Sequence, residues 1–274
     1  MSLIKTNDGA QLWYDEKGTG KALVMLPGWG CSPEFFKRNF DELAKSCHVV
    51  RMSLRGHYKS EKVKYGHRIS RYAADLRDLI VALDLKDVTS LGWSMGAAII
   101  WSHYDLFQDD YISKMVIVDQ SPRQYAEFGG QGWTGIQAGC YDIESLMVLN
   151  TMLQLNSAGV AAGLGGLCFP AGKTPSEEET AFFTEQIEMT PWWVRADIMV
   201  DHTNLDWRDL LPTIKIPTLV LAGRKNQVFL NEGTFYPGKV IPGAEMVVFE
   251  ESGHMPFYNE AEKFNKVVAE FVNS

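Results

Sequence analysis

Ser94 stands in Gly92-Trp93-Ser94-Met95-Gly96, preceded by an apolar, β-leaning run from Val88 to Gly92 and followed by a helix-forming run from Met95 to Tyr104. A hydroxyl on a tight strand-to-helix turn is held in the open at the head of the helix, the placement of a serine nucleophile. Each glycine removes a Cβ that would meet the neighbouring strand or helix. With 24 glycines in 274 residues, a chance match to this pattern arises on the order of one time in ten, so its context decides. The other role open to Ser94 is that of a hydroxyl capping the helix.

A serine nucleophile needs a base, and six histidines are available. His254 lies in Glu251-Ser252-Gly253-His254-Met255-Pro256-Phe257, after a strand signal and before the last helix, which puts its imidazole on a loop at the same sheet edge as Ser94. His57, His67, His103 and His202 fall in helices or polar loops and read as surface or packing residues, while His48 begins a strand.

The elements that must position these groups alternate. Strand signals lie at Leu3 to Lys5 and Gln11 to Asp15, joined by an Asn7-Asp8-Gly9 turn, then at Ala22 to Leu26, His48 to Met52, Val88 to Gly92 and Lys114 to Asp119. Helix signals at Pro33 to Lys45, Arg71 to Leu83 and after Ser94 separate the later strands. Such alternation predicts an α/β fold, a doubly wound and mostly parallel sheet of eight strands. From Ser121 to about Leu211 strand signals stop. Helices are expected at Ile143 to Leu155, Glu177 to Met189 and Trp192 to Val200, with a Gly-rich joining segment from Gly159 to Gly172. Strands resume at Thr218 to Gly223 and Glu245 to Phe249, and a helix from Ala261 to Val272 closes the chain.

An insertion this long is too large for a loop. Residues 121–211 are therefore expected to form a helical cap on a core of residues 1–120 and 212–274, laid over the sheet edge where open α/β sheets bind ligands. Its aromatic and methionine side chains (Phe128, Trp133, Tyr141, Met147, Met152, Phe182, Phe183, Trp192, Trp193) suit either an apolar binding chamber or the packing of cap on core.

A net charge of −8 argues against nucleic acid or an anionic membrane as partner. Cys31, Cys47, Cys140 and Cys168 are scattered, without metal-ligand or redox spacing, so neither a metal nor a cofactor is indicated. The N-terminal residues do not read as a charged-then-apolar leader and no apolar run nears the ~20 residues of a span, so a cytoplasmic protein is expected.

Several segments together resemble the α/β-hydrolase family over essentially the whole chain: Leu26-Pro27-Gly28-Trp29-Gly30, Arg55-Gly56-His57, Gly92-Trp93-Ser94-Met95-Gly96, Ile216-Pro217-Thr218-Leu219-Val220 and Ser252-Gly253-His254. The Gly28-Trp29-Gly30 and Gly92-Trp93-Ser94 forms are similar to those of small carboxylesterases such as pimeloyl-carrier-protein methyl ester esterases. The resemblance implies that the backbone amides of Trp29 and Met95 form the oxyanion hole, two donors worth roughly 3 to 4 kcal/mol each. It also implies that the Trp29 side chain borders the substrate pocket, and Trp93, Phe128 and Trp133 join it as candidate substrate contacts.

The chain departs from the family at the acid. Gly223-Arg224-Lys225-Asn226 puts a neutral amide where the pattern has Asp, and an amide cannot stabilise an imidazolium as a charge does. Asp119, at the end of the sixth strand, is the replacement, since some family members carry their acid there; its alternative role is turn former before Ser121-Pro122. Glu250 and Glu251 are too near His254 in sequence to fold back, Glu232 needs a shifted loop, and Asp206 and Asp209 are expected to be solvated. Tyr58 also replaces a glycine of the family pattern.

The resulting expectation is a serine hydrolase cleaving a small to medium, largely apolar ester, thioester or related acyl substrate through Ser94, His254 and Asp119. A cofactor-free ring-opening dioxygenase of the same fold shares the Leu-Pro-Gly-Trp turn and the Asp after the sixth strand, but the intact Gly92-x-Ser94-x-Gly96 and Gly30-Cys31 in place of a polar donor weigh against it. A dehalogenase is disfavoured because position 94 is not Asp. A non-catalytic binding protein of the same fold is the third reading.

Overall fold

The structure of the protein is a computed structural model, and it describes residues 2–125 and 142–274. Strands β1 (Ser2–Lys5), β2 (Gln11–Lys17), β3 (Ala22–Leu26), β4 (His48–Met52), β5 (Val88–Trp93), β6 (Ile112–Val118), β7 (Thr218–Gly223) and β8 (Glu245–Phe249) form one sheet in the order β1-β2-β4-β3-β5-β6-β7-β8. β1 and β2 pair antiparallel with each other and β2 with β4; every other pairing is parallel. β3, β5 and β7 are buried at every position, because helices cover both faces. Alternate side chains then feed two separate cores. Val24, Val50, Ile117 and Val220 belong to one, and Leu23, Leu91, Val116 and Leu219 to the other.

The helices are α1 (Phe40–Leu43), α2 (Ile69–Ala82), α3 (Met95–Phe107), α4 (Ile143–Leu155), α5 (Ser157–Leu167), α6 (Glu177–Glu188), α7 (Trp192–Thr203), α8 (Asn231–Val240), α9 (Pro256–Asn259) and α10 (Ala261–Asn273). α4 to α7 fall between β6 and β7. No described helix is long and apolar enough to cross a membrane.

Three local expectations need correction. The helix expected over Pro33 to Lys45 is a 3-10 turn at Pro33–Phe36 followed by the single turn α1. Between them the buried Asn39 side chain donates to Phe257 O (2.9 Å) and pairs with Asn265 Oδ1 (2.8 Å), tying the bend to the C-terminal helices. The Gly-rich segment is not a plain connection, since residues Ser157–Leu167 form α5. Asn156 Oδ1 accepts from Gly159 N–H (3.0 Å) at its start, and Gly165 lies so close to α6 that an added Cβ would come within 3.3 Å of Phe183 Cβ. Close packing here outweighs poor helix propensity. α8 has no counterpart among the helix signals, because Gly233, Pro237 and Gly238 mask its period.

Beyond β4 the loop from Leu54 is held by a buried ion pair. Arg55 Nε donates to Asp75 Oδ2 (2.8 Å) and Nη2 to Oδ1 (2.7 Å), and both side chains have zero exposure. Tyr58 in the same loop has φ +41°, so the position keeps a left-handed backbone although glycine is gone. Asp75→Ala is expected to cost up to about 3–5 kcal/mol, because it leaves the buried Arg55 charge with only the partly exposed Asp8 Oδ1 (2.8 Å) as its carboxylate partner. Denaturant unfolding checks this; a loss under about 1 kcal/mol would show the guanidinium finding water.

Candidate active site

β5 runs into α3 through Ser94, whose backbone sits at φ 53°, ψ −125°, a region that an L-residue occupies only under constraint. The constraint is visible on both sides. A Cβ at Gly92 would come within 2.4 Å of the Gly96 carbonyl carbon, and one at Gly96 within 2.5 Å of Leu26 O. Ser94 N–H donates to Val118 O (2.9 Å), which fixes the turn against β6. The Ser94 side chain makes no hydrogen bond as a helix cap.

His254 lies in the loop after β8 and is 2% exposed. Its Nδ1 donates to Asp119 Oδ2 at 2.6 Å, so the ring is in the tautomer that leaves Nε2 as the basic nitrogen. Asp119 has zero exposure and φ +51°, at the point where β6 ends. Its Oδ1 accepts from Gly223 N–H (3.0 Å) and its Oδ2 also accepts from Asn226 Nδ2 (2.6 Å). Asn226 Oδ1 in turn accepts from Val228 N–H (2.8 Å), so the amide is oriented with its NH2 toward the carboxylate. Trp93 Nε1 donates to His254 O (2.8 Å) and its ring lies 5.3 Å from the imidazole, holding the ring in place.

The loop after β3 passes close to the serine, since a Cβ on Gly28 would meet Ser94 Cβ at 3.2 Å. Trp29 follows in that loop, and Met95 is the first residue of α3, where backbone N–H groups lack helical partners. The loop is tied to the insertion. Trp29 Nε1 donates to Arg195 O (2.8 Å), Thr190 Oγ1 to Gly30 O (3.1 Å), and Ser32 Oγ to Gln186 Oε1 (2.7 Å). On its other side Gly30 N–H donates to His57 Nε2 (3.2 Å), while His57 Nδ1 donates to Arg55 O (2.9 Å).

One cavity of about 40 Å³ gathers these groups. Gly28, Trp29, Trp93, Ser94 and His254 line it from the sheet side, and Leu164, Cys168, Met199 and His202 from the insertion. Burial holds the Cys168 thiol far above its ordinary pKa, so it lines the cavity as a neutral group. None of Met147, Met152, Phe182, Phe183, Trp192 and Trp193 touches the cavity; Phe183 instead packs on Phe35 (4.8 Å) and Tyr258 (5.1 Å), joining insertion to core. Phe128, Trp133 and Tyr141 lie outside the described residues.

The other histidines are not surface residues. His57, His67, His103 and His202 are all buried, and sequence reasoning missed that His57 braces the Gly28–Cys31 loop and His202 faces the serine's cavity. Burial pushes His57 and His202 down to about 3 and His103 to about 4. In the unfolded chain each would titrate near 6.5, so between pH 6 and 4.5 unfolding takes up about three protons at these sites. Their stabilisation is complete above the unfolded value and lost as pH falls toward 4, at up to about 4 kcal/mol per pH unit. Urea titrations at pH 7, 6 and 5 should show the midpoint dropping steeply; a flat profile would contradict neutral buried rings.

Residues 23–267 match the sequence profile described as the alpha/beta hydrolase family. The chain is 27% identical over 273 residues to the AB hydrolase superfamily protein YisY of Bacillus subtilis, covering 99% of this chain and 98% of that one. It is 27% identical to a pimeloyl-[acyl-carrier protein] methyl ester esterase of Vibrio cholerae, covering 95% and 97%. An esterase from Exiguobacterium antarcticum superposes with a TM-score of 0.91 at 26% identity, covering 100% of this chain and 99% of the other. With the profile spanning β3 to β8 as well as the Ser94 turn and the His254 loop, the chain belongs to the alpha/beta hydrolase family.

Proposed function

We propose that the protein is a serine carboxylesterase, with residues 121–211 acting as a cap on a core of residues 1–120 and 212–274. Ser94 Oγ attacks the acyl carbon, His254 Nε2 takes its proton and returns it to the leaving alcohol, and water resolves the acyl-enzyme by the same route. Asp119 holds the imidazole in the working tautomer and stabilises the imidazolium. The amides of Trp29 and Met95 receive the oxyanion, and the side chains of Trp29 and Trp93 face the substrate.

The 2.6 Å bond from His254 Nδ1 to the fully buried Asp119, with His254 and the constrained Ser94 lining one cavity, is the observation that carries this reading. A helix-capping serine needs neither the buried His–Asp pair nor the strained backbone. The relatives named as esterases support the same bond class. The cavity beside Ser94 is small, with room for roughly three waters at about 10–15 Å³ each, which favours short acyl groups over long ones. Across p-nitrophenyl esters from acetate to decanoate, kcat/KM should peak at two to four carbons and fall at least about tenfold by eight. Absence of turnover on the whole panel, with the protein folded and unlabelled by a serine-directed fluorophosphonate, would sink the proposal.

A further inference from the structure

Residues Gly28 to Cys31 make a tight turn beside Ser94. Cys31 N–H donates to Gly28 O (3.2 Å), Trp29 keeps a negative φ and Gly30 has φ +70°, the combination that defines a type II turn. A type II turn differs from the commoner type I by a flip of its central peptide, here the one joining Trp29 to Gly30. Both ends of that peptide are occupied. Trp29 O accepts from Cys31 Sγ (3.3 Å), and Gly30 N–H donates to His57 Nε2 (3.2 Å). Trp29 N–H, by contrast, has no hydrogen-bond partner among the described residues.

His57 reaches the turn from the loop after β4, and each ring nitrogen meets a main-chain group with a single role. A backbone N–H only donates, so Nε2 accepts from Gly30; a backbone carbonyl only accepts, so Nδ1 carries the proton toward Arg55 O (2.9 Å). Burial pushes the imidazole down to about 3, so the ring is neutral and able to accept near pH 7. The ring is also fixed in place. Tyr72 packs edge-on against it at 6.0 Å, and Tyr72 Oη donates to the same Arg55 O (2.9 Å). His57 has zero exposure and is not among the residues lining the cavity, so it acts on the turn and not on a ligand.

We propose that His57 is a positioning residue for transition-state stabilisation: by accepting from Gly30 N–H it locks the turn in its type II form, and so fixes the aim of Trp29 N–H at the oxyanion. The inference rests on the esterase reading, with the Trp29 amide as an oxyanion donor. Outright loss of such a donor costs about 10²–10³ in kcat, and a loosened one costs part of that. The cost falls on kcat rather than KM, because the charge that needs the donor develops only in the transition state.

The test compares two substitutions. His57→Leu removes the acceptor at similar volume, whereas His57→Gln places an amide oxygen where Nε2 stands. On p-nitrophenyl acetate, kcat is expected to fall about 30-fold in His57→Leu with KM changed by less than about threefold, and to return to within about fivefold of wild type in His57→Gln. Inhibition by 1,1,1-trifluoropentan-2-one, which adds to a serine as a tetrahedral oxyanion, should weaken in His57→Leu by the same factor as kcat/KM. The acidic limb of the kcat/KM profile, which reports His254, should stay where it is in both variants.

A kcat within about threefold of wild type in folded His57→Leu overturns the proposal. So does a loss that His57→Gln shares in full, or one that leaves affinity for the ketone unchanged, since either assigns His57 to packing alone. Where His57→Leu does not fold, His57→Asn takes its place, because the shorter amide ends near the Nδ1 position and leaves Gly30 N–H without its acceptor. A 15N spectrum of the wild type showing His57 protonated on Nε2 overturns the proposal without any variant. Absence of ester turnover by the wild type removes the esterase reading and this proposal with it, whereas turnover that survives His57→Leu removes the proposal alone.

Discussion

Ser94→Ala is expected to lower kcat on p-nitrophenyl acetate by about 10⁶-fold and to abolish labelling by a fluorophosphonate probe. Removing the nucleophile leaves the rest of the constellation with nothing to activate, so no partial chemistry through Asp119 and His254 survives. A companion substitution separates chemistry from folding. At φ 53°, ψ −125° glycine is at ease and serine is not, so Ser94→Gly should be equally inactive yet more stable by about 1–2 kcal/mol. An inactive protein that melts lower would mean the turn tolerates serine better than its backbone implies. Ester turnover persisting near wild-type rates in Ser94→Ala would remove Ser94 from the mechanism.

The second large effect concerns the acid. Asp119→Asn should cost about 10⁴-fold in kcat, since an amide neither stabilises the imidazolium nor enforces the tautomer. Asn226→Ala should cost about tenfold at most, because it removes one donor from a carboxylate that still accepts from Gly223 N–H. Asn226→Asp is a sharper probe. It would set a second carboxylate where a donor now stands 2.6 Å from Asp119 Oδ2. Added negative charge beside the pair favours protonated His254, so the acidic limb of the kcat/KM profile should move to higher pH. Comparable losses in Asp119→Asn and Asn226→Ala, or an acidic limb moving down in Asn226→Asp, would show that Asp119 is not the acid.

Asp119 and Asn226 mark the border between what local sequence encodes and what only the fold creates. Ser94 and His254 announce themselves through short local motifs, and strands such as β3, β5 and β7 through runs of apolar residues buried on both faces. Asp119 stands out only because Asn226 occupies the position where a carboxylate is expected. That both residues belong to one assembly, with the amide donating to the Asp119 carboxylate and anchored by Val228 N–H, depends on a contact 107 positions apart that no local pattern encodes. His57 and His202 are silent in the sequence for the same reason. Their neighbours along the chain are ordinary, and their roles come from Gly30 and Gln124, which lie 27 and 78 positions away. Helix α5 is hidden for a different reason: its glycines lower intrinsic propensity, and the compensation is packing on α6, invisible one segment at a time.

The bonds from Trp29, Gly30 and Ser32 to Arg195, Thr190 and Gln186 divide the insertion into two parts with unequal evolutionary freedom. The α6–α7 end cannot be exchanged for that of a relative without also supplying a carbonyl for the Trp29 indole and a hydroxyl for the Gly30 carbonyl, because the same three residues carry the loop beside Ser94. The α4 end, where Met147, Val148 and Leu155 are open to solvent, has no such obligation. A chimera that grafts a foreign α4 onto this chain keeps the loop beside Ser94 intact, whereas one that grafts a foreign α7 rebuilds it. Diversification of what the protein accepts therefore has an inexpensive side and a constrained one, and the boundary between them runs through the insertion rather than around it.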